Sequence, residues 1–180
     1  MKIERLSTGE PPVTIQRLAE YMRVDPTDPD LLPLILTAAS ELELYAAIAL
    51  TDQTIEATTE GAPGPVIELP VGPVSASSSR TLETIDQAGN VSQLSQGFFV
   101  ETGRHPLIRF TSTPPTDRVR VTYTAGFGED DTSVPADLAH AVLDHCAKLY
   151  DQRGCTDRHH HAGLSPAAAR IAARYRRVRL

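Results

Sequence analysis

The chain has 180 residues and a formal net charge of −6, and the charge is split: residues 1–152 hold 10 basic and 22 acidic side chains, residues 153–180 hold 7 basic and 1 acidic. A body with a net charge of −12 disfavours a phosphate-binding surface, because Lys and Arg supply most nucleic-acid affinity. The absence of tryptophan and an aromatic content of only 5% also disfavour a platform for stacking bases or sugars.

The first predicted helix covers about residues 14–24. Thr14 has the side chain of an N-cap, and Val13 and Leu18 have the spacing of a hydrophobic staple. The dipeptide Asp25-Pro26 predicts the end of this helix, because the residue before a proline is pushed out of the helical region.

The second predicted helix covers residues 31–50. Asp30 is its predicted cap, which places Pro33 in the first turn, where a missing amide costs little. Apolar side chains cover most of the circumference of this helix. That pattern indicates a helix that is central to the core or packed between subunits, with Glu41 and Glu43 marking its solvent side.

Between the second and third helices, residues 53–128 predict a β-rich insertion. The hydrophobic period changes to two, and seven of the 14 prolines lie between Pro63 and Pro115. Gly89-Asn90 predicts a hairpin turn, since both residue types tolerate positive φ. The candidate strands cover residues 54–59, 66–69, 79–85, 98–101, 107–110 and 118–124.

A glycine-rich acidic turn joins the last of these strands to the third helix. Residues 118–124 alternate as a half-buried antiparallel strand does, and Gly126 and Gly128 interrupt the ladder. Side-chain oxygens of residues 131–133 are candidate N-caps, and Pro135 suits a first helical turn. We therefore expect a helix over about residues 135–153.

The end of the chain predicts a linker over residues 155–163 and a basic helix over residues 164–180. Ser165 is the candidate N-cap and Pro166 the first helical residue. Alanine dominates this helix, so its apolar area is small and we expect that it needs a partner to become fixed. Its arginines predict an acidic partner, unless they only solubilise a frayed terminus.

Residues for catalysis or metal binding are sparse. The chain contains no P-loop, no G-x-S-x-G elbow and no Gly-rich dinucleotide fingerprint. Adjacent histidines cannot all face one ion on a helix, so we interpret His159–His161 as an exposed linker. We interpret Cys146 and Cys155 as reduced, and His140 and His145 as surface or partly buried side chains. We expect no enzyme activity, no metal and no cofactor.

Four phrases in order resemble the head-tail connector (adaptor) proteins of long-tailed phages and gene transfer agents. The first two phrases are PVTI at residues 12–15 and MRVD at residues 22–25, and the long Ala/Leu helix follows them. The third phrase is IELPVGPV at residues 67–74. The fourth is VTYTAGFG at residues 121–128, which precedes the helix that begins after VPA. The resemblance covers roughly residues 11–153. It implies a structural subunit of the neck of a phage or a gene transfer agent particle, which is made in the bacterial cytoplasm.

The resemblance further implies a dodecameric ring below the portal protein. Its expected partners are the portal, neighbouring copies of itself and the next neck or tail protein (head-completion or stopper), while DNA passes through the channel without specific binding. In that family the C-terminal part reaches toward the portal. This role falls here on Arg170, Arg174, Tyr175, Arg176, Arg177 and Arg179.

The predicted fold class is α+β: a small bundle of three core helices and a C-terminal helix, with the β-rich insertion between the second and third helices. Residues 1–154 form the expected connector domain. No apolar run reaches the roughly 20 residues that cross a bilayer, and the first ten residues lack the apolar segment of a secretory signal, so we expect no membrane association. The alternative function is a small nucleic-acid-binding or regulatory module that uses the basic C-terminal helix.

Overall fold

The computed structural model describes residues 1–153 and 163–177. Two compact units make up the chain: Met1–Gly9 with Asp52–Phe127, and Glu10–Thr51 with Gly128–Leu180. The first unit contains the strands and the second contains the helices, and the described residues form four helices and two antiparallel sheets. The predicted α+β class is confirmed.

The strand unit consists of a five-stranded sheet with the order β1-β2-β8-β4-β5 and a three-stranded sheet with the order β3-β7-β6. All neighbouring strands in these two sheets are antiparallel. The strands are β1 (Lys2–Arg5), β2 (Gln53–Thr58), β3 (Val66–Glu68), β4 (Arg80–Ile85), β5 (Val91–Gln93), β6 (Phe98–Glu101), β7 (Leu107–Phe110) and β8 (Arg118–Ala125).

Strand β8 is central because both of its edges are paired, with β2 on one side and β4 on the other. Val119, Val121, Tyr123 and Ala125 are buried, and the residues between them are more exposed. This is the period-2 pattern of the sequence, as a sheet with one buried face requires. Gly126 follows the strand, and its amide donates to the carbonyl of Pro73 at 2.9 Å.

A small apolar cavity of about 20 Å³ is lined by both sheets. Leu82 and Val121 come from the five-stranded sheet, and Val100 and Ile108 come from the three-stranded sheet. The two sheets therefore face each other across an apolar layer. Beside it, the buried Tyr123 hydroxyl donates to the carbonyl of Val71 at 3.1 Å, and burial raises the pKa of this phenol.

The predicted hairpin is confirmed, since β4 pairs with β5 across the turn at Gly89-Asn90. Gly89 has a φ of 90°, and the Asn90 amide donates to Asp86 Oδ1 at 2.8 Å. Strand β1 was not predicted: Lys2–Arg5 pairs along β2 at an edge of the larger sheet. Its four residues lack an extended alternating pattern, so only the long-range pairing defines them as a strand.

The helical unit contains α1 (Ile15–Met22), α2 (Leu31–Ala46), α3 (Ala136–Asp151) and α4 (Pro166–Ala172). Helix α2 contacts each of the other three, and α3 also contacts α1 and α4. The Thr14 hydroxyl caps α1 by accepting a hydrogen bond from the Arg17 amide at 3.2 Å, as predicted. Pro33 lies in the first turn of α2, also as predicted.

Helices α1 and α2 end earlier than the sequence predicts, at Met22 rather than near residue 24 and at Ala46 rather than residue 50. Each is stopped by a non-glycine residue in the left-handed region, Arg23 at φ 58° and Ala47 at φ 56°. Such a conformation is uncommon outside glycine and asparagine. The dipeptide Asp25-Pro26 therefore lies beyond the end of α1.

The start of α3 also differs from the prediction. Pro135 occupies the N-cap position, and the helix begins at Ala136. Thr132 and Ser133, which were candidate caps, donate hydrogen bonds to the carboxylate of Asp130. The bonds from Thr132 and Ser133 lower the pKa of Asp130. The acidic segment is thus a closed turn that leads into the helix.

Glu43 corrects the expected solvent side of α2. The structure buries Glu43, and its Oε1 accepts a hydrogen bond from the Leu50 amide at 2.8 Å. The carboxylate therefore satisfies a backbone donor of the chain that leaves α2. A buried polar atom with such a partner belongs to the core.

Candidate interaction surface

The C-terminal helix α4 begins as the sequence predicts. The Ser165 hydroxyl accepts a hydrogen bond from the Ala168 amide at 3.2 Å, and Pro166 is in the first turn. This arrangement satisfies one amide at the start of the helix, and proline costs nothing there because its position needs no donor. The start of α4 is therefore determined locally.

Helix α4 is held by its own unit, in contrast to the expectation that it needs a partner. Ala168, Ile171, Ala172 and Tyr175 are buried, and α4 contacts both α3 and α2. The Tyr175 hydroxyl also donates to Asp137 Oδ1 at 2.8 Å. Small alanine side chains allow close helix packing, so a modest apolar area is sufficient when it is buried completely.

The predicted partner-binding residues divide into two groups. Arg170, Arg174 and Arg176 are exposed and Arg177 is half-buried, whereas Tyr175 is buried in the helical unit. Arg179 lies outside the described residues. Arg170 lies on α4, Arg174, Arg176 and Arg177 follow the helix, and the side chain of Tyr175 in the same segment packs into the helical unit.

The buried imidazole of His145 links three helices. Its Nε2 lies 2.8 Å from Glu41 Oε2, and its Nδ1 accepts a hydrogen bond from the Ser165 amide at 3.2 Å. This pattern assigns the proton to Nε2, because Nδ1 must be free to accept. The Ser165 hydroxyl binds Asp144 on α3 in addition. We expected His145 at the surface or partly buried, but the structure buries it completely and gives it two hydrogen-bond partners. We call His145 with Glu41 and Ser165 the hub, because these residues connect α2, α3 and the start of α4.

Helix α2 presents a second candidate surface opposite its buried face. Four residues spaced by four positions, Leu32, Leu36, Ser40 and Leu44, are all exposed. Leu44 is 73% exposed, which is unusual for a leucine on an otherwise packed helix. The sequence indicated that this helix is apolar on most of its circumference, and the structure covers only part of that circumference.

The described residues offer little for catalysis or metal binding. Among residues 1–153 and 163–177, no group of three or more His, Cys, Asp or Glu side chains is arranged to hold a metal ion. Burial raises the pKa of the Cys146 thiol to about 12, which keeps it protonated and unreactive. Cys155 and His159–His161 lie outside the described residues. Across the part of the chain described, each helix is too short or too polar to span a bilayer.

The fold is similar to solved structures over the full length of this chain. A chain in the virion of a native gene transfer agent (GTA) particle matches with 23% identity and a TM-score of 0.79, and 97% of that chain is covered. A chain in the neck of an empty GTA particle, computed with C6 symmetry, gives the same identity, score and coverage. A chain in the neck of a native GTA particle, computed with C12 symmetry, matches with 27% identity and a TM-score of 0.75, again over 97% of its length.

Neither a protein-family model nor a curated protein matches the sequence. The likeness therefore rests on three-dimensional structure, and it extends over 100% of this chain. Both the helical unit and the strand unit are included in it. This chain has the fold of chains found in gene transfer agent particles and their necks.

Proposed function

We propose that this chain is a structural subunit of the neck of a gene transfer agent or phage particle. More specifically, it is a head-tail connector (adaptor) that forms a ring under the portal and links the DNA-filled head to the neck and tail. The observation that carries this proposal is the full-length fold match to chains of GTA necks, at TM-scores of 0.75 and 0.79. The order of sequence phrases between residues 11 and 153 supports the same family.

In this proposal, residues 1–154 are the connector domain, a small helical bundle that carries the β-rich insertion. Residues 164–180 are a basic arm, and the expected linker, residues 155–163, lies outside the described residues except for Gly163. Each subunit offers one surface to a different surface of its neighbour, and rotation closes the ring. Twelve copies are expected, in keeping with the C12 symmetry of one matched neck. The protein makes and breaks no bond in this role.

The basic arm is the proposed contact with the portal. Arg170 is exposed on α4, and Arg174 and Arg176 are exposed in the segment that follows the helix. Because Tyr175 is buried, we assign the portal contact to the arginines, including Arg177 and Arg179. Tyr175 instead attaches the basic arm to the helical unit. The opposite end of the ring would receive the next neck protein.

The acidic body suits a channel through which DNA moves without being held. Residues 1–152 carry a net charge of −12, and like charges prevent capture of the phosphates. The alternative function, a nucleic-acid-binding module that uses α4, predicts salt-sensitive DNA binding that is lost when residues 164–180 are removed. We therefore expect no such binding by the intact chain.

Binding to the portal protein of the same particle tests the proposal. We expect the purified chain to form a complex with the portal, detected by size and by electron microscopy. The double variant Arg170→Glu/Arg174→Glu should weaken that complex by about tenfold or more, because charge reversal turns attraction into repulsion. The matched control, Arg80→Glu/Arg118→Glu on exposed strand positions, should bind as the wild type does.

Failure of the wild-type chain to bind the portal would remove the connector role. If the wild type binds and the Arg170/Arg174 double variant binds equally well, the portal contact lies elsewhere on the chain.

A further inference from the structure

The start of the basic arm is held by a hydrogen bond that only a neutral imidazole can accept. The Ser165 amide donates to His145 Nδ1, and Nε2 of the same ring lies 2.8 Å from Glu41 Oε2. Both His145 and Ser165 are buried, so water does not replace these partners. A protonated imidazole carries N–H groups on both nitrogens and keeps no acceptor. Protonation would therefore set two donors against each other, 3.2 Å apart.

Further bonds between α3 and the start of the arm surround this junction. The Ser165 hydroxyl donates to Asp144 Oδ2 on α3. Lys148, one turn further along α3, donates to the carbonyl of Gly163 at 2.5 Å and lies 3.5 Å from that of Leu164. The polar contacts of α3 with the start of the arm are thus concentrated at Ser165 and the two residues before it.

The charged groups beside the hub stay in place whether or not the arm is attached. Glu41 belongs to α2, and Asp144 and Lys148 belong to α3, while the start of α4 contributes the amide and the hydroxyl of Ser165. The attraction of the two carboxylates for a cationic ring, and the repulsion by Lys148, therefore act in both arrangements. Detachment of the arm also frees Asp144 from the Ser165 hydroxyl, which strengthens its attraction for a cation.

The two arrangements differ at Nδ1 of His145. With the arm attached, this nitrogen accepts from the buried Ser165 amide and has no place for a proton. With the arm detached, the nitrogen faces water and can take one. Because the detached arrangement binds the additional proton, a fall in pH favours detachment by linkage.

We propose that His145 is a pH-sensitive switch for the basic arm. The neutral ring holds the Ser165 amide, and protonation releases the start of the arm from α3. The sign follows from the proton count: attachment is complete above the pH range in which imidazoles ordinarily titrate, and it weakens as the pH falls through that range. This inference concerns the chain by itself and does not depend on the proposed role in a neck.

Hydrogen exchange of the purified full-length chain at pH 7.5 and pH 5.5 tests the switch. Exposed carboxyl groups ordinarily stay charged at both values, so the comparison isolates groups that titrate as imidazoles do. After correction for the intrinsic pH dependence of exchange, peptides within residues 164–177 should exchange about tenfold faster at pH 5.5, the factor expected for one lost buried hydrogen bond. Peptides of β2 and β8 should keep their protection, because the hub belongs to the helical unit.

The variant His145→Gln separates the ring from the other histidines. Its side chain offers an acceptor oxygen and a donor nitrogen but does not titrate, so exchange of the arm should be the same at both pH values. His140→Gln is the matched control, because His140 is exposed on the same helix, and this variant should keep the wild-type response. A wild-type response in His145→Gln would overturn the inference, since another group would then be responsible.

Nitrogen-15 NMR of the imidazole in the wild-type chain gives a readout that does not depend on how the variants fold. At pH 7.5 we expect the chemical shift of an unprotonated nitrogen at Nδ1 and of a protonated one at Nε2. At pH 5.5 both nitrogens should be protonated, and the Ser165 amide should have lost its protection. A ring that stays neutral at pH 5.5, or a protonated ring with a fully protected arm, would overturn the inference.

Discussion

The imidazole of His145 accepts a hydrogen bond from the backbone amide of Ser165, with 3.2 Å between Nδ1 and the amide nitrogen. The other ring nitrogen lies 2.8 Å from Glu41 Oε2, so one side chain connects α2, α3 and the first residue before α4. Because the ring is completely buried, water cannot replace either partner. This hub keeps the basic arm attached to the helical unit.

The substitution His145→Ala should lower the free energy of unfolding by about 2–4 kcal/mol, since it leaves the Ser165 amide unpaired and opens a cavity. Urea unfolding measures the loss, and hydrogen exchange at the Ser165 amide should accelerate. His140→Ala is the control, because His140 is exposed and makes an edge-on contact with Tyr21. Its effect should stay within about 0.5 kcal/mol, and equal losses for both variants would contradict the hub.

Removal of the Glu43 carboxylate should destabilise the chain beyond α2. Glu43→Ala leaves the buried Leu50 amide without its acceptor, and we expect a loss of about 1–3 kcal/mol in chemical denaturation. Glu43→Gln keeps an acceptor oxygen in place and should cost less. Glu20→Ala, at an exposed position of α1, should be close to neutral. If the alanine and glutamine variants of Glu43 were equally stable, the hydrogen bond from the Leu50 amide to residue 43 would contribute nothing to the free energy of unfolding.

The backbone at Gly126 has no room for a side chain. A Cβ at this position would lie 2.5 Å from the amide nitrogen and 2.6 Å from the Cα of Asp52. Gly126→Ala should therefore lower the free energy of unfolding by about 1–3 kcal/mol or more, because backbone atoms must move apart. Gly64→Ala has open space and serves as the control. Thermal melts of the two variants compare them, and a stable Gly126→Ala protein would show that the strand end can shift.

The thiol of Cys146 should resist modification in the folded protein. Burial raises its pKa to about 12, so at pH 8 only about one molecule in ten thousand carries the thiolate. Because a raised pKa favours the protonated form, alkylation should stay slow at pH 7–9 and become fast in denaturant. Mass spectrometry that resolves the modified residue measures this rate separately from that of Cys155. Rapid alkylation of Cys146 without denaturant would contradict its burial.

Local chemistry in the sequence was sufficient for several elements. Period-2 alternation identified β8, and Gly89-Asn90 identified the β4–β5 hairpin. The caps Thr14 and Ser165 marked the starts of α1 and α4. Each of these signals lies within a few residues of the element it describes, so no distant partner is needed to interpret it. The α+β class followed from the change of hydrophobic period between helices and strands.

Other features were decided by residues far apart in the sequence. The burial of Glu43, the pairing of Lys2–Arg5 with β2, and the contacts of Tyr175 all depend on partners that periodicity cannot identify. The left-handed residues Arg23 and Ala47 end their helices without a glycine, so composition did not reveal those boundaries.

The candidate surfaces show the same division. The sequence by itself determined that the C-terminal end is basic and that α2 is apolar on most of its circumference, because charge and hydrophobicity belong to each side chain. Only the tertiary structure decided that Tyr175 faces inward and that Leu32, Leu36 and Leu44 face outward. The reason is physical: which side of a helix is covered depends on the neighbours that pack against it.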